Sequence, residues 1–278
     1  KMHYTQGYHA LPGPVIYYNS HASERSKEAV TFAQTRYKYM SEKFRMQLLA
    51  KLQRSNDIYE DTAASNISGF LRNEYMQQEG YLSAALAYTP ISGLTLSYSA
   101  DVAINNLESN LKQNSHVDRH TLLNVVAMKY QYRWVTINGN LLHTFINDIA
   151  QSPNMTNAVT TPLQHRYSQV SPYVGITLKP WFKEPFRLRY FFKENYRVPN
   201  FNELYYFAIP RDLKPEKAHQ HNIGITWSKE YTLHNEQEGD FSLIVDGFHN
   251  NVYNKIIAIP TQNMFLWSMM NLGEVSIQ

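Results

Sequence analysis

The chain has 278 residues, enough for one large domain or two ordinary ones. Lys plus Arg number 26 and Asp plus Glu 23, a net charge of +3 that excludes a strongly basic nucleic-acid binder and an acidic tail protein. Cysteine is absent, which removes disulfide scaffolds, thiolate metal sites and cysteine nucleophiles.

The opening Lys1-Met2-His3-Tyr4-Thr5-Gln6 lacks the apolar core of a secretory signal and reads as a processed or internal start. From residue 32 onward the dominant signal is alternation with a period of two, the mark of a strand whose successive side chains face opposite ways. Weak alternation over Phe32–Met40 is followed by a strong run, Phe44, Met46, Leu48, Ala50 and Leu52 against Arg45, Gln47, Leu49, Lys51 and Gln53. Gly80 to Ala100 is an uncharged run of 21 residues, long enough for a membrane helix. Pro90 and Gly93 break it, and each half alternates, so it predicts strands over Tyr81–Tyr88 and Leu94–Val102 joined by a turn. Further strands are predicted over Leu122–Tyr130, Val135–Ile146, Val170–Leu178, Phe186–Lys193, Ala218–Trp227, Phe241–Asn250 and Phe265–Ile277. The count is eleven or twelve, with no helical period of similar quality.

The connections alternate in length. Ser41–Lys43, Thr89–Gly93, Tyr132–Trp134 and Lys179–Pro185 are short, whereas 54–78, 105–119, 147–164 and 195–215 are long and polar. Ser228–Gly239 is longer than the rhythm predicts. Compact soluble domains rarely carry several long structureless loops. Outer-membrane barrels carry them at one end, with short turns at the other, an apolar lipid face, a polar lumen and aromatic girdles. Tyr88, Tyr130, Tyr132, Trp134, Trp181, Phe182 and Trp227 lie at or beside the short connections, where a girdle belongs. A soluble β-sandwich or propeller, whose strands also alternate, is the competing fold.

The stretch after Phe192 is more specific. Tyr196-Arg197-Val198-Pro199-Asn200-Phe201-Asn202-Glu203-Leu204-Tyr205 is followed by Leu213-Lys214-Pro215-Glu216-Lys217-Ala218 and by Asn222-Ile223-Gly224. This resembles the barrel signature of TonB-dependent outer-membrane receptors. Phe248–Ile257, Asn271-Leu272-Gly273-Glu274-Val275 and Leu11–Ile16 resemble further segments of these barrels. At Asn222 the sequence departs from the family, which usually carries Glu two places before the Gly. The resemblance implies an all-β antiparallel meander forming part of a large transmembrane barrel of about 22 strands. It further implies that residues 1–278 are a middle portion, without the plug domain and the C-terminal strands. It implies TonB, the protein's own plug, membrane lipid and a small nutrient such as a ferric siderophore, cobalamin or haem as partners, with no cofactor and no nucleic acid. The implied location is the outer membrane of a Gram-negative cell. A soluble glycan- or protein-binding module and a passive porin are the alternatives.

The residues singled out by the resemblance are Arg197, Pro199, Glu203, Leu204, Leu213, Lys214, Pro215, Glu216 and Gly224, as a loop that is either structural or a ligand or plug contact. Pro199 fixes an extended path by locking its own φ and restricting Val198. Arg187, Arg189 and Lys193 share one strand face opposite Phe186, Leu188, Tyr190 and Phe192. A charge on the lipid face costs about 2–4 kcal/mol near the midplane, so in a barrel these three face the lumen. His219 and His221 would lie on one strand face but lack a third metal ligand. Asp57, Glu60 and Asp61 lack the spacing and Gly of a calcium loop and read as a solvated acidic patch. No nucleophile elbow, phosphate loop, zinc-protease or dinucleotide motif occurs, and no enzyme is predicted.

Overall fold

The computed structural model describes residues 1–11, 24–62, 69–110, 116–151, 163–181, 185–205, 212–232, 238–260 and 267–278. Twelve strands follow in order: β1 (Met2–Leu11), β2 (Glu24–Met40), β3 (Phe44–Asp61), β4 (Leu71–Ile91), β5 (Leu94–Ser109), β6 (His116–Tyr132), β7 (Val135–Gln151), β8 (Leu163–Leu178), β9 (Phe186–Arg197), β10 (Glu216–Thr232), β11 (Glu238–Pro260) and β12 (Trp267–Ile277). A five-residue helix, α1 (Phe201–Tyr205), lies between β9 and β10. The strands form one sheet in the order β1 to β12, every neighbouring pair antiparallel. Among the described residues no ladder joins β1 to β12.

In such a meander successive connections must leave from opposite ends. One end carries 41–43, 92–93, 133–134, 179–185 and 233–237, and the other carries 12–23, 62–70, 110–115, 152–162, 198–215 and 261–266. The expected short-end and long-end segregation therefore holds. The tight end is built by turn chemistry. Gly93 takes φ +86° between the paired residues Ile91 and Leu94, and Arg133 takes φ 44° in the two-residue turn between Tyr132 and Val135. The uncharged run around Pro90 is thus a β4–β5 hairpin, although Thr89, Pro90 and Ile91 belong to β4 and only Ser92-Gly93 turn.

Three expectations need correction. The long connections are much shorter than the polarity suggested: 54–61 belongs to β3, 71–78 to β4, and 147–151 to β7. β3, β4 and β11 run to 18, 21 and 23 residues. Toward the end with the long connections both faces are polar, with Asn56 and Glu60 on one and Asp57 and Asp61 on the other, so the apolar alternation vanishes while the backbone ladder continues. Ser228–Gly239 is no exception to the rhythm, because β10 and β11 extend to leave only 233–237. Met2–Leu11 pairs with β2 residue by residue, an element whose sequence shows too little alternation to be predicted. Pro12–Ile16 and Phe182 lie outside the described residues.

Register assigns every strand residue to a face, since directly paired residues project the same way. One face carries Leu52, Leu82, Val102, Leu96, Val126, Leu141, Val174, Ile223, Ile225, Leu243 and Val245, each more than a third exposed. Among the described residues nothing covers this apolar belt. Across the same strands the other face carries Gln47, Lys51, Ser83, Ser97, Ser99, Asp101, Asn138, Asn140, Arg187, Arg189 and Asp246.

The polar face is concave. Leu204 and Leu213 from the β9–β10 connection form a buried cluster with Val117 of β6, Ala150 of β7 and Ile256 of β11, with Phe201, Leu107 of β5 and Met269 of β12 packed against it. In a flat sheet β5 and β12 would stand seven strand spacings, roughly 34 Å, apart. One small cluster can touch both only if the sheet wraps around it.

Candidate functional site

The site lies where the β9–β10 connection crosses the concave face. Arg197 ends β9 directly opposite Glu216, which opens β10. Its Nε donates to Glu216 Oε2 at 2.7 Å, and its Nη1 donates to both oxygens of Glu203 at 3.0 and 2.9 Å. Glu203 also completes a capping box. Its Oε2 accepts the Asn200 backbone N–H at 2.8 Å while its own N–H donates to Asn200 Oδ1 at 2.8 Å. That reciprocal pair starts a helix as short as α1, with Leu204 N donating to Asn200 O at 3.1 Å. The second oxygen of Glu216 accepts the Ile256 N–H at 2.5 Å, tying the loop to β11. The Arg197 hydrogen bond holds the Glu216 carboxyl below its ordinary range, and Arg197 is raised in return.

Beneath this surface network lies a buried one. Arg119 of β6 and Asp148 of β7 are direct cross-strand partners, joined by two parallel hydrogen bonds of 2.7 and 2.6 Å. Asp148 is fully buried. Arg119 Nη2 also donates to the Pro199 carbonyl at 2.9 Å, and its guanidinium lies 4.7 Å from the Phe201 ring centroid. Pro199 is itself fully buried. Burial, with the Asp148 charge second, pushes the nearby Tyr167 phenol up to about 12, so it stays neutral beside the carboxylate. On the far side, the Asn271 side chain of β12 imitates a strand partner. Its Oδ1 accepts from Lys214 N at 2.8 Å, and its Nδ2 donates to Lys214 O at 2.9 Å and to Asn254 O at 2.7 Å. Asn254 is a left-handed residue at φ 55°, where the β11–β12 pairing is interrupted between Tyr253↔Glu274 and Lys255↔Leu272 without a change of register.

The structure thus brings together Arg197, Pro199, Glu203, Leu204, Leu213, Lys214 and Glu216. Pro215 directly precedes Glu216, the first residue of β10. Gly224 is elsewhere and has a separate cause. It pairs with Arg189 on one side and Asp246 on the other, and these bridge over it at 2.7 Å. A Cβ at 224 would collide with Asp246 Oδ1 and come within 2.9 Å of Arg189 Nη2. Asn222, the departure from the family pattern, shares this concave face with Phe191 and Phe248. Arg187 and Lys193 are exposed on the same face as Arg189 and make no ion pair among the described residues.

Arg119, Asp148, Phe201 and Asn271 are the members that sequence reading missed as site residues. Arg119 and Asp148 fell in segments read as loops, and 29 positions separate them. Asn271 carried a signal, its place in the Asn-x-Gly segment, but that signal does not reveal Lys214 as its partner.

The two weaker candidates come apart. Asp57 and Asp61 face the concave side, but Glu60 faces outward, bound to Arg72 at 3.3 Å and Lys27 at 3.5 Å. His219 and His221 do share the outer face. His219 contacts Glu194 at 3.2 Å and the Tyr253 ring, and His221 Nδ1 pairs with the Tyr190 hydroxyl at 3.0 Å. Among the described residues no group of three His, Asp or Glu could hold a metal ion.

No curated protein matches the sequence. Solved structures match in fold. The hemophore receptor HasR of Serratia marcescens, in complex with its hemophore HasA and heme, aligns with a TM-score of 0.70 at 14% identity, over 92% of this chain and 46% of HasR. The copper transporter OprC aligns with a TM-score of 0.70 at 11% identity, over 92% of this chain and 43% of OprC. The FrpB iron transporter from Neisseria meningitidis aligns with a TM-score of 0.63 at 11% identity, over 92% of this chain and 40% of FrpB. The chain therefore spans less than half the length of each. The sequence model described as TonB dependent receptor-like, beta-barrel matches residues 129–278, just over half of the chain, which includes the whole β9–β10 connection but not Arg119. With that match, on a twelve-stranded meander whose charged signature is assembled as described, the chain belongs to the TonB-dependent receptor β-barrel family.

Proposed function

We propose that this chain is part of the barrel of an outer-membrane receptor that imports a scarce, bulky nutrient, such as a ferric siderophore, haem or cobalamin, driven by TonB. Residues 1–278 make up a middle portion of that barrel, and a plug domain and further strands belong to the longer protein. The coverage of less than half of HasR, OprC and FrpB supports this. The observation that carries the reading is the belt of Leu52, Leu82, Leu96, Val126, Leu141, Ile223 and Val245, exposed on one face of a sheet whose other face is polar. Exposed apolar area of that extent fits lipid and suits water poorly. The concave polar face then lines the lumen, with Arg187, Arg189 and Lys193 toward the plug or the cargo. The wide end, with 62–70, 152–162 and 198–215, faces the medium and meets the nutrient first.

The test is fractionation and uptake with the intact receptor. The protein should sediment with outer membranes and be heat-modifiable. Uptake of at least one labelled nutrient among ferric siderophores, haem and cobalamin should require both the receptor and TonB. Recovery in the soluble fraction, or receptor-dependent uptake that persists without TonB, would sink the proposal.

A further inference from the structure

We propose that the two ends of the β9–β10 connection, 198–205 and 212–215, are a fixed ledge inside the wall, not a moving gate, and that Arg119 and Asn271 are the positioning residues that hold them there. The inference deepens the transport reading above and rests on it. Three independent attachments fasten the segment to strands far apart in the sheet. Arg119, locked in two bonds to the fully buried Asp148, reaches from β6 to the Pro199 carbonyl and stacks on Phe201. Glu216 binds the Ile256 N–H of β11. Asn271 of β12 takes both backbone groups of Lys214. Between these anchors, Leu204 and Leu213 are 2% and 4% exposed, a burial typical of a protein core. A gate needs polar, weakly packed contacts that exchange readily with water. Here the segment instead covers a charged pair and a hydrophobic cluster, and lifting it would break the Arg119 bond to the Pro199 carbonyl, the Phe201 contact and the packing of Leu204 and Leu213.

The absence of cysteine from the chain makes a clean test possible. Leu213→Cys, and Leu204→Cys as a second reporter, are introduced into the intact receptor and probed with a maleimide on cells. Both thiols should stay unlabelled with and without saturating nutrient and active TonB. Adding Arg119→Ala or Asn271→Ala should make them reactive while the barrel remains heat-modifiable. Labelling that rises in the otherwise native background during transport would show a gate and overturn the proposal. Unchanged protection in both Ala variants would overturn the positioning roles. Absence of nutrient uptake in the native receptor, with the thiols still protected and released only by the Ala variants, would refute transport while leaving the ledge intact.

Discussion

Removing the Arg119 guanidinium is the sharpest perturbation the structure offers. Arg119→Ala leaves the fully buried Asp148 without its two-point partner, strips a donor from the Pro199 carbonyl and removes the cation over Phe201. Breaking a buried pair by deleting one member costs about 3–5 kcal/mol, chiefly because a charge stays buried. At about 1.4 kcal/mol per tenfold, local opening of the loop should become roughly two to three and a half orders of magnitude more frequent. Hydrogen exchange of the purified receptor in detergent reads this directly at named amides. Leu204 N, bonded to Asn200 O, and Lys214 N, bonded to Asn271 Oδ1, should lose protection by that factor. Amides of the β4–β5 hairpin, far along the sheet, should not change. The double variant Arg119→Ala/Asp148→Ala should be less damaging than the sum of the singles, since no buried charge is then stranded. Protection in Arg119→Ala within about threefold of wild type, less than 1 kcal/mol, would refute the reasoning.

Gly224→Ala should displace the Arg189–Asp246 bridge and lower stability by about 1–2 kcal/mol, read as the heat-modification midpoint. In an Arg189→Ala/Asp246→Ala background the same change should have little effect. On the outer belt, Val126→Arg, well inside β6, should cost about 2–4 kcal/mol in folding titrations, whereas Ser99→Arg on the concave face should be tolerated; equal effects would mean the faces are misassigned. The folded-state Glu216 carboxyl lies below its ordinary value of 4.5, first because Arg197 donates to it. Its stabilising effect is therefore complete above about pH 4.5 and lost as pH falls through the depressed folded value. Limited proteolysis of the β9–β10 loop should rise over that acid window in wild type, and Glu216→Gln should remove the dependence.

How far the sequence could be read follows from which solvent each face meets. Within the apolar belt one face is apolar and the other polar, so Leu94–Val102 and Phe186–Lys193 are legible and their two faces are as expected. Beyond it both faces are polar, and residues such as Asn56, Glu60 and Glu74 carry no periodic mark although they are fully paired. The end of the alternation was therefore read as the end of the strand. The same physics hid half of the site. Arg197, Glu203 and Glu216 lie within 20 positions of one another and belong to a motif, whereas Arg119 reaches Pro199 across 80. Long-range pairs of this kind leave no local pattern.

The charges of the β9–β10 signature are held mainly by one another and by the backbone. Arg197 is engaged by three carboxylate oxygens, Glu203 by Arg197 and the Asn200 N–H, and Glu216 by Arg197 and the Ile256 N–H. Each of these charge-assisted bonds is worth about 1.5–3 kcal/mol and is spent within the loop and its strands. These residues therefore build the ledge, and its signature reports a fold more than a cargo. The groups on the same face with free capacity are Arg187 and Lys193, both exposed and without an ion pair among the described residues. On the proposed transport reading, discrimination between nutrients falls to groups of that kind and to the long connections, which differ in length from 62–70 to 198–215. On that reading the cargo can change without touching Arg119, Asp148 or Glu216, whose bonds serve the loop and the strands beneath it.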